Sequence, residues 1–190
     1  MKQEDSDRLK NWKDRIAVMF LVQEEIQRHD KLGVFQYYYP ELAATEEQVN
    51  AVEKHLGHCL DKDYRDFLMC ANGWKCFNQN VSLFSTGDLE GSSLMDYALE
   101  MLETMDMEYP IGYTGFSKEE LLPIAATKED KDLYVITRAT SHQPGVVIWF
   151  AGEEVERYPN FEEFILAITD YNRANIKWLD EWLKERGYEA

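Results

Sequence analysis

The chain has 190 residues, and its 36 acidic and 20 basic side chains give a formal net charge of −16. Such a charge disfavours binding to nucleic acid and to anionic membranes, and it attracts basic partners. No segment approaches the roughly 20 consecutive apolar residues of a membrane helix, and the acidic, polar first residues are unlike a secretion signal. The three cysteines lack the spacing of a disulfide framework, so we expect a cytoplasmic protein with reduced thiols.

Residues 1–44 predict one helix followed by an extended linker. Over residues 7–30, apolar side chains recur at intervals of three and four, which indicates an amphipathic helix. Pro40 then disfavours the helical conformation at Tyr39, so the stretch VFQYYYPEL is extended. We expect this segment to pack on the core formed by residues 45–190, as part of a single globular unit.

Two short helices with strong start and stop signals follow the linker. Thr45 and Gln48 have the spacing of a capping box, and Gly57 can end the first helix in the left-handed conformation. Asp61 is placed to cap the second helix. That helix ends at an Asn-Gly pair, so we expect a positive φ at Gly73.

The remainder of the chain predicts a sheet flanked by helices. The strand candidates are residues 81–84, 121–126, 132–137, 145–150 and 153–158. Val155 is expected to point inward, and residues 85–93 are expected to form a loop. A helix is predicted over 94–107 and a long final helix begins after Asn160. This order indicates an α+β fold with an antiparallel β-sheet packed against helices, an N-terminal helix and a long C-terminal helical extension.

Both of these later helices have a predicted buried face. In the helix over 94–107 it comprises Met95, Ala98, Leu99, Leu102 and Met105. In the final helix it comprises Phe161, Phe164, Ile165, Ile168, Trp178, Leu179, Trp182 and Leu183.

Several of these motifs together resemble the SUKH superfamily, which includes yeast cell-wall-synthesis regulators. The helix pair is similar to the opening signature of that family at Leu56, Gly57, Leu60, Tyr64, Phe67, Leu68, Asn72 and Gly73. The stretches LLPIAATKEDKDLYVI and VVIWFAGEE…YPNFEEFI resemble its later strands and helix, with Trp149, Phe161 and Phe164 in family positions. The resemblance covers about residues 45–170, and Lys62 departs from it because the family usually has proline there.

The resemblance implies a sheet backed by helices and a function in protein binding. Most bacterial members are thought to be immunity proteins that neutralise a polymorphic toxin, so it implies a cognate protein toxin as the partner. We expect inhibition by stoichiometric binding, and we prefer a nuclease because its substrate-binding face is basic. Deaminases and ADP-ribosyltransferases stay open. The alternative is a regulatory or scaffold protein that binds cellular partners constitutively.

One stretch of 42 residues, from Cys76 to Ser117, contains no Lys or Arg. Within it, Asp96, Glu100 and Glu103 are spaced four and three apart, which places them on one face of the predicted helix. With the neighbouring Glu90 and Asp106, these side chains are interpreted either as a solvated face or as a surface that steers a basic toxin.

Two aromatic side chains complete the candidate partner-binding residues. Trp74 follows the stop of the second helix, and Tyr113 lies in a glycine-bearing loop. Aromatic residues are enriched among the residues that dominate binding energy at interfaces. Packing in the core or within a loop is the alternative interpretation for both.

The sequence contains no recognised catalytic or metal-binding motif. A phosphate-binding loop, a nucleophile elbow and a His-Glu-x-x-His motif are all missing. His55, His58 and Cys59 are interrupted by Gly57, and no second Cys/His pair stands at ligand spacing. We therefore expect no enzymatic activity, no metal and no cofactor.

Overall fold

The computed structural model describes residues 3–108 and 111–188 and confirms the α+β fold. Six antiparallel strands form one sheet in the order in which they occur in the chain. The strands are β1 (Trp74–Asn78), β2 (Val81–Leu83), β3 (Leu121–Ala126), β4 (Asp132–Thr137), β5 (Val147–Ala151) and β6 (Glu154–Tyr158). The helices are α1 (Gln3–His29), α2 (Glu46–Leu56), α3 (Lys62–Leu68), α4 (Thr86–Gly91), α5 (Ser93–Glu108) and α6 (Phe161–Glu185). Short 3₁₀ helices lie at Ile111–Thr114 and Lys118–Glu120.

The centre of the sheet is covered on both faces. Every residue of β3 is buried, and so is every residue of β4 after the first. In a strand with one face in solvent, buried and exposed residues alternate. Uninterrupted burial therefore means that the side chains on both faces of β3 and β4 are shielded from solvent. Phe164 of α6 covers one face, with its ring centroid 5.2 Å from Tyr134 and 6.0 Å from Phe77. Helix α5 packs against β3 and β4.

An aromatic cluster holds α1 against α3 and α6. The ring centroid of Trp12 lies 6.0 Å from Phe67 and 5.6 Å from Phe161. The ring centroid of Tyr64 lies 5.0 Å from that of Phe161. Buried aromatic side chains remove large apolar areas from water, so this cluster is a major source of stability for the three helices.

The predicted helix caps are present around α2 and α3. Thr45 and Gln48 form the reciprocal capping box, and Gly57 has a φ of 74° at the end of α2. The Asp61 carboxylate accepts from the backbone N–H of Asp63 at 2.9 Å and of Tyr64 at 3.1 Å. Local hydrogen bonds therefore fix where each helix of the pair begins, as the sequence predicts.

Gly73 has the expected positive φ, 86°, and a second reason to be glycine. A Cβ on Gly73 would lie 2.7 Å from the backbone nitrogen of Ser85 and 2.9 Å from the carbonyl oxygen of Leu83. These neighbours are backbone atoms and cannot swing away. The close approach joins the end of the helix pair to the segment that starts α4.

Two elements differ from the sequence prediction. Residues 74–78 form β1, an additional strand before the predicted one, and it is irregular because Cys76 has a φ of 50°. Residues 86–91 form α4 where a loop is expected. The helix exists because Ser85 and Asp88 satisfy each other's backbone N–H groups in a capping box, despite two glycines in the segment.

Three side chains predicted to be buried are exposed. Val155 is 50% exposed because Glu156, its neighbour in β6, is half-buried and accepts from the hydroxyls of Tyr158 and Tyr171. Leu99 is 48% exposed at the edge of the apolar face of α5. Trp178 is 45% exposed and stacks on Trp182, which is half-buried, outside the core. The other predicted inward side chains of α5 and α6 are buried.

None of the helices in the described ranges has both the length and the apolarity needed to cross a membrane.

Candidate partner-binding surface

Helix α4 is fixed in position by side chains of the preceding elements. The Asn72 side chain makes two hydrogen bonds with Thr86, accepting from its backbone N–H at 2.8 Å and donating to its hydroxyl at 2.9 Å. Asp88 accepts from the backbone N–H of Ser85 at 2.9 Å. Glu90, one of the predicted binding residues, is exposed near the end of this helix. The helix pair thus serves as the support on which Glu90 and the start of α5 are placed.

Helix α5 has one buried and one exposed face, and the acidic residues lie on the exposed one. The buried face comprises Met95, Ala98, Met101, Leu102 and Met105. The exposed face, here called the acidic face, comprises Asp96, Leu99, Glu100, Glu103 and Met107. Met107 is 73% exposed, so the acidic face combines three carboxylates with two apolar side chains. Interfaces combine charged groups that orient partners with apolar groups that supply buried area.

Folding brings two lysines from outside the 42-residue stretch to the ends of α5. Lys118 forms an ion pair with Glu103, and this hydrogen bond raises the pKa of Lys118. The ammonium of Lys128 donates to the hydroxyl of Ser93 at 3.1 Å. The acidic face is therefore partly compensated at Glu103.

Three of the predicted acidic residues have no partner among the residues that the structure describes. The carboxylates of Glu90, Asp96 and Glu100 make no hydrogen bond or ion pair with any side chain or backbone group of the described residues. Asp106 is different, because its carboxylate accepts from the backbone N–H of Ile111 at 2.9 Å. Asp106 thus helps to hold the 3₁₀ helix at Ile111–Thr114.

The two aromatic candidates lie in contrasting environments. Tyr113 is 74% exposed on the 3₁₀ helix at Ile111–Thr114, which contacts α5. Trp74 is only 1% exposed, and its indole N–H donates to the carbonyl oxygen of Tyr38 at 2.8 Å. Trp74 therefore belongs to the core and offers almost no area to a partner in this conformation, whereas Tyr113 is presented at the surface.

A groove of about 920 Å³ adjoins α4 and the beginning of α5. Trp74 forms part of its wall, and its other sides include Glu41, Leu42, Lys75, Asp88, Glu90 and Leu94. Leu42 is 90% exposed at its rim. Among the described residues that line this groove, Lys75 is the one with a basic side chain, and its ammonium lies 3.6 Å from the carboxylate of Glu41. Glu90 belongs to the lining, so the groove adjoins the acidic face of α5. Glu90 and the acidic face are together called the acidic region.

The remaining polar clusters have structural explanations. Glu120 accepts from the backbone N–H of Ser117 at 2.8 Å, and this bond, with help from Ser141 and His142, lowers the pKa of Glu120 to about 2. His58 bonds to the carbonyl oxygen of Cys59 through Nδ1. Within residues 3–108 and 111–188, no three His, Cys, Asp or Glu side chains come together in a group suited to a metal ion.

Comparison with known proteins identifies the family. A search of curated proteins finds no match. Residues 43–167, about two thirds of the chain, match the family described as SMI1/KNR4 family (SUKH-1). The matched range contains the helix pair, the six strands described above, the acidic face and the lining of the groove apart from Glu41 and Leu42. The chain therefore belongs to the SMI1/KNR4 family (SUKH-1), part of the SUKH group that includes toxin immunity proteins and related members.

Proposed function

We propose that the protein is an immunity protein that neutralises a cognate intracellular toxin by stoichiometric binding. The observation that carries this proposal is the set of unpartnered carboxylates at Glu90, Asp96 and Glu100, on a chain whose family includes toxin immunity proteins. Exposed carboxylates that do not stabilise the fold are free to meet a basic surface. The proposal also includes a cytoplasmic location, where such a toxin would act.

The acidic face would act in two steps. Its charge would first speed the encounter with a basic partner, because complementary fields raise association rates. Leu99, Met107 and Tyr113 would then supply apolar area that is buried in the complex and slows dissociation. Glu103 keeps its bond with Lys118 and so contributes less to the encounter.

A nuclease is the preferred toxin class. The part of a nuclease that binds nucleic acid is lined with Lys and Arg, because phosphate contacts dominate affinity for nucleic acid. A protein that carries a net charge of −16 can occupy such a surface and exclude the substrate. Inhibition by occupation requires no catalysis, and we propose that the protein is a binder and not an enzyme.

The regulatory or scaffold alternative has its own supporting observation. Helix α1 and the end of α6 lie outside the matched range, and they expose apolar side chains at Leu21 (59%) and Trp178 (45%). A protein that binds cellular partners constitutively would use such a surface in the absence of any toxin.

The proposal is tested with the product of the gene next to the gene for this protein, which we expect to be the toxin. Cells expressing that toxin should survive when this chain is co-expressed, and the purified proteins should form a complex of fixed stoichiometry. The variant Glu90→Lys/Asp96→Lys/Glu100→Lys should lose protection. The matched control is Asp170→Lys/Glu181→Lys/Glu185→Lys, which changes the net charge equally on exposed positions of α6 and should still protect. Loss of protection in both variants, or in neither, would count against the acidic region as the toxin-binding surface.

A further inference from the structure

A second pocket lies between the β1–β2 turn, the β3–β4 turn and α6. Its volume is about 220 Å³. Its walls include Asn78, Asp130, Asp132, Trp149, Tyr171 and Asn175. It shares no residue with the acidic face or with the groove beside α4. Its chemistry therefore has to be explained separately from the proposed toxin-binding surface.

Two aromatic rings form a corner of this pocket. The rings of Trp149 and Tyr171 have centroids 6.3 Å apart and planes inclined at 63°. Tyr134, which is fully buried, stacks on the indole at 5.5 Å and an angle of 17° and so holds it in place. Trp149 is half-buried and Tyr171 is 40% exposed, so both rings can be reached from solvent. A cation within about 6 Å of an aromatic ring centroid is attracted to the ring face.

Two carboxylates lie at the edge of the aromatic corner and have no basic partner among the described residues. The indole N–H of Trp149 donates to Oδ1 of Asp132 at 2.7 Å, which fixes both side chains. Oδ2 of Asp132 makes no hydrogen bond within the described residues, and the Asp130 side chain is exposed nearby. Burial raises the pKa of Asp132, which indicates that its negative charge is not fully compensated. The lining of this pocket, all within the described part of the chain, includes no Lys or Arg.

A buried hydroxyl beside the pocket also lacks a partner. The hydroxyl of Tyr134 lies near the Asn78 amide but makes no hydrogen bond of acceptable geometry with any described group. Burial and the charge of Asp132 raise the pKa of Tyr134. The wall formed by Asn78 and Trp149 therefore has an unsatisfied polar group next to it, which is unusual for a buried hydroxyl.

We propose that this pocket binds the guanidinium group of an arginine side chain presented by a protein partner. A guanidinium is planar and can lie on the exposed part of the Trp149 indole while its N–H groups reach Oδ2 of Asp132. Its five donors also suit the amide oxygens of the pocket, which a compact ammonium group cannot satisfy as fully. The volume of the pocket fits one side chain, so the pocket would bind a single arginine of the partner at the edge of a larger interface.

The test uses the purified chain alone and therefore does not depend on the proposed toxin. The indole N–H signal of Trp149 is identified by NMR through its loss in Trp149→Phe, and it is then followed during titration with a blocked arginine amide. We expect a saturable shift with a dissociation constant of about 1 mM, as for a weak single-group contact. The blocked citrulline amide, which has the same shape without the charge, should give no saturable shift. An equal response to both compounds, or no saturation with arginine, would overturn the proposal.

Two variants test whether arginine binds in this pocket, and a comparison of two ligands tests whether the guanidinium belongs to a protein or to a free small molecule. Asp132→Asn keeps an acceptor for the indole N–H but removes the charge, and it should weaken arginine binding at least about tenfold, which is 1.4 kcal/mol. Glu153→Gln removes one charge from an exposed position outside the pocket and should bind arginine as the unmodified chain does. Agmatine, a free guanidinium compound, is compared with an arginine-containing peptide. Tighter binding of agmatine than of the peptide would assign the pocket to a free small cation and overturn the assignment to a protein partner, as would unchanged binding by Asp132→Asn.

Discussion

The region from α3 to α4 and the exposed face of α5 are both rich in carboxylates, but they use them differently. Asp61 and Asp88 accept hydrogen bonds from backbone N–H groups at the starts of α3 and α4. On α5, Asp96 and Glu100 make no such bond with the described residues. A carboxylate that caps a helix is explained by folding, whereas one without an internal partner is available for binding. Counting acidic residues therefore does not separate carboxylates that stabilise the fold from those that are available for binding, whereas their internal hydrogen bonds do.

The largest expected effect concerns the end of the α2–α3 helix pair, which supports α4, and not the acidic face. Gly73→Ala should destabilise the protein by about 3 kcal/mol or more, because a Cβ in the left-handed region is strained and this one would also clash with the backbone of Ser85. Chemical denaturation measures the change in the free energy of unfolding.

Gly57→Ala is the matched control for this substitution. Gly57 has a similar φ of 74°, but a Cβ there would have no atom within 4 Å. Its cost should be limited to about 1 kcal/mol from the backbone conformation alone. Equal losses for the two variants would show that the close approach between Gly73 and Ser85 contributes nothing.

The next comparison is between single carboxylates of the two regions. Asp61→Ala removes the cap of α3 and should destabilise the protein by about 1 kcal/mol. Glu100→Ala removes a carboxylate without an internal partner and should change the free energy of unfolding by less than about 0.5 kcal/mol. The same denaturation experiment measures both. A larger loss for Glu100→Ala than for Asp61→Ala would contradict the division between structural and available carboxylates.

A smaller effect should appear at acidic pH. Glu120 has a pKa of about 2 in the folded protein, mainly because it accepts from the Ser117 backbone N–H, whereas its ordinary value is 4.5. A lowered folded-state pKa contributes stability that is fully present above pH 4.5 and is lost as the pH falls from 4.5 through 2. The difference in stability between the unmodified chain and Glu120→Gln should therefore shrink over this range. Parallel stability curves for the two proteins between pH 6 and about pH 3 would contradict this assignment.

The sequence predicts the parts of the fold that local interactions decide. Thr45, Gly57 and Asp61 act within a few residues of their own positions, as does the positive φ of Gly73, so these roles could be predicted. The close approach of Gly73 to Ser85 depends on tertiary packing and could not. Helix α4 is difficult to predict from the sequence, because two of its six residues are glycines. The Ser-x-x-Asp spacing at Ser85 is the one local signal that favours a helix there. The sequence does not predict strand β1, because the conformation of residues 74–78 breaks the alternation of a regular strand.

The surface could be predicted only in part, because it depends on distant segments. The spacing of Asp96 and Glu100 correctly places both on the exposed face of α5. Sequence alone could not show that Lys118 approaches Glu103, since fifteen residues separate them and the contact depends on tertiary packing. For the same reason, it could not bring Trp149, Asp132 and Tyr171 together in the second pocket, because they come from two strands and a helix.

The central claim is that the carboxylates without internal partners steer association with a basic toxin. The most direct test measures the association rate of the purified chain and its cognate toxin across a salt series, for the unmodified chain, for Glu90→Lys/Asp96→Lys/Glu100→Lys and for the control Asp170→Lys/Glu181→Lys/Glu185→Lys. For the unmodified chain the rate should fall as salt rises, because the Debye length shrinks from about 10 Å at 0.1 M to about 3 Å at 1 M. The first variant should associate slowly at low salt and lose most of this salt dependence, while the control should keep most of both the rate and the slope. Equal rates and slopes for the first variant and the unmodified chain would show that the acidic face is only solvated and that the toxin binds elsewhere.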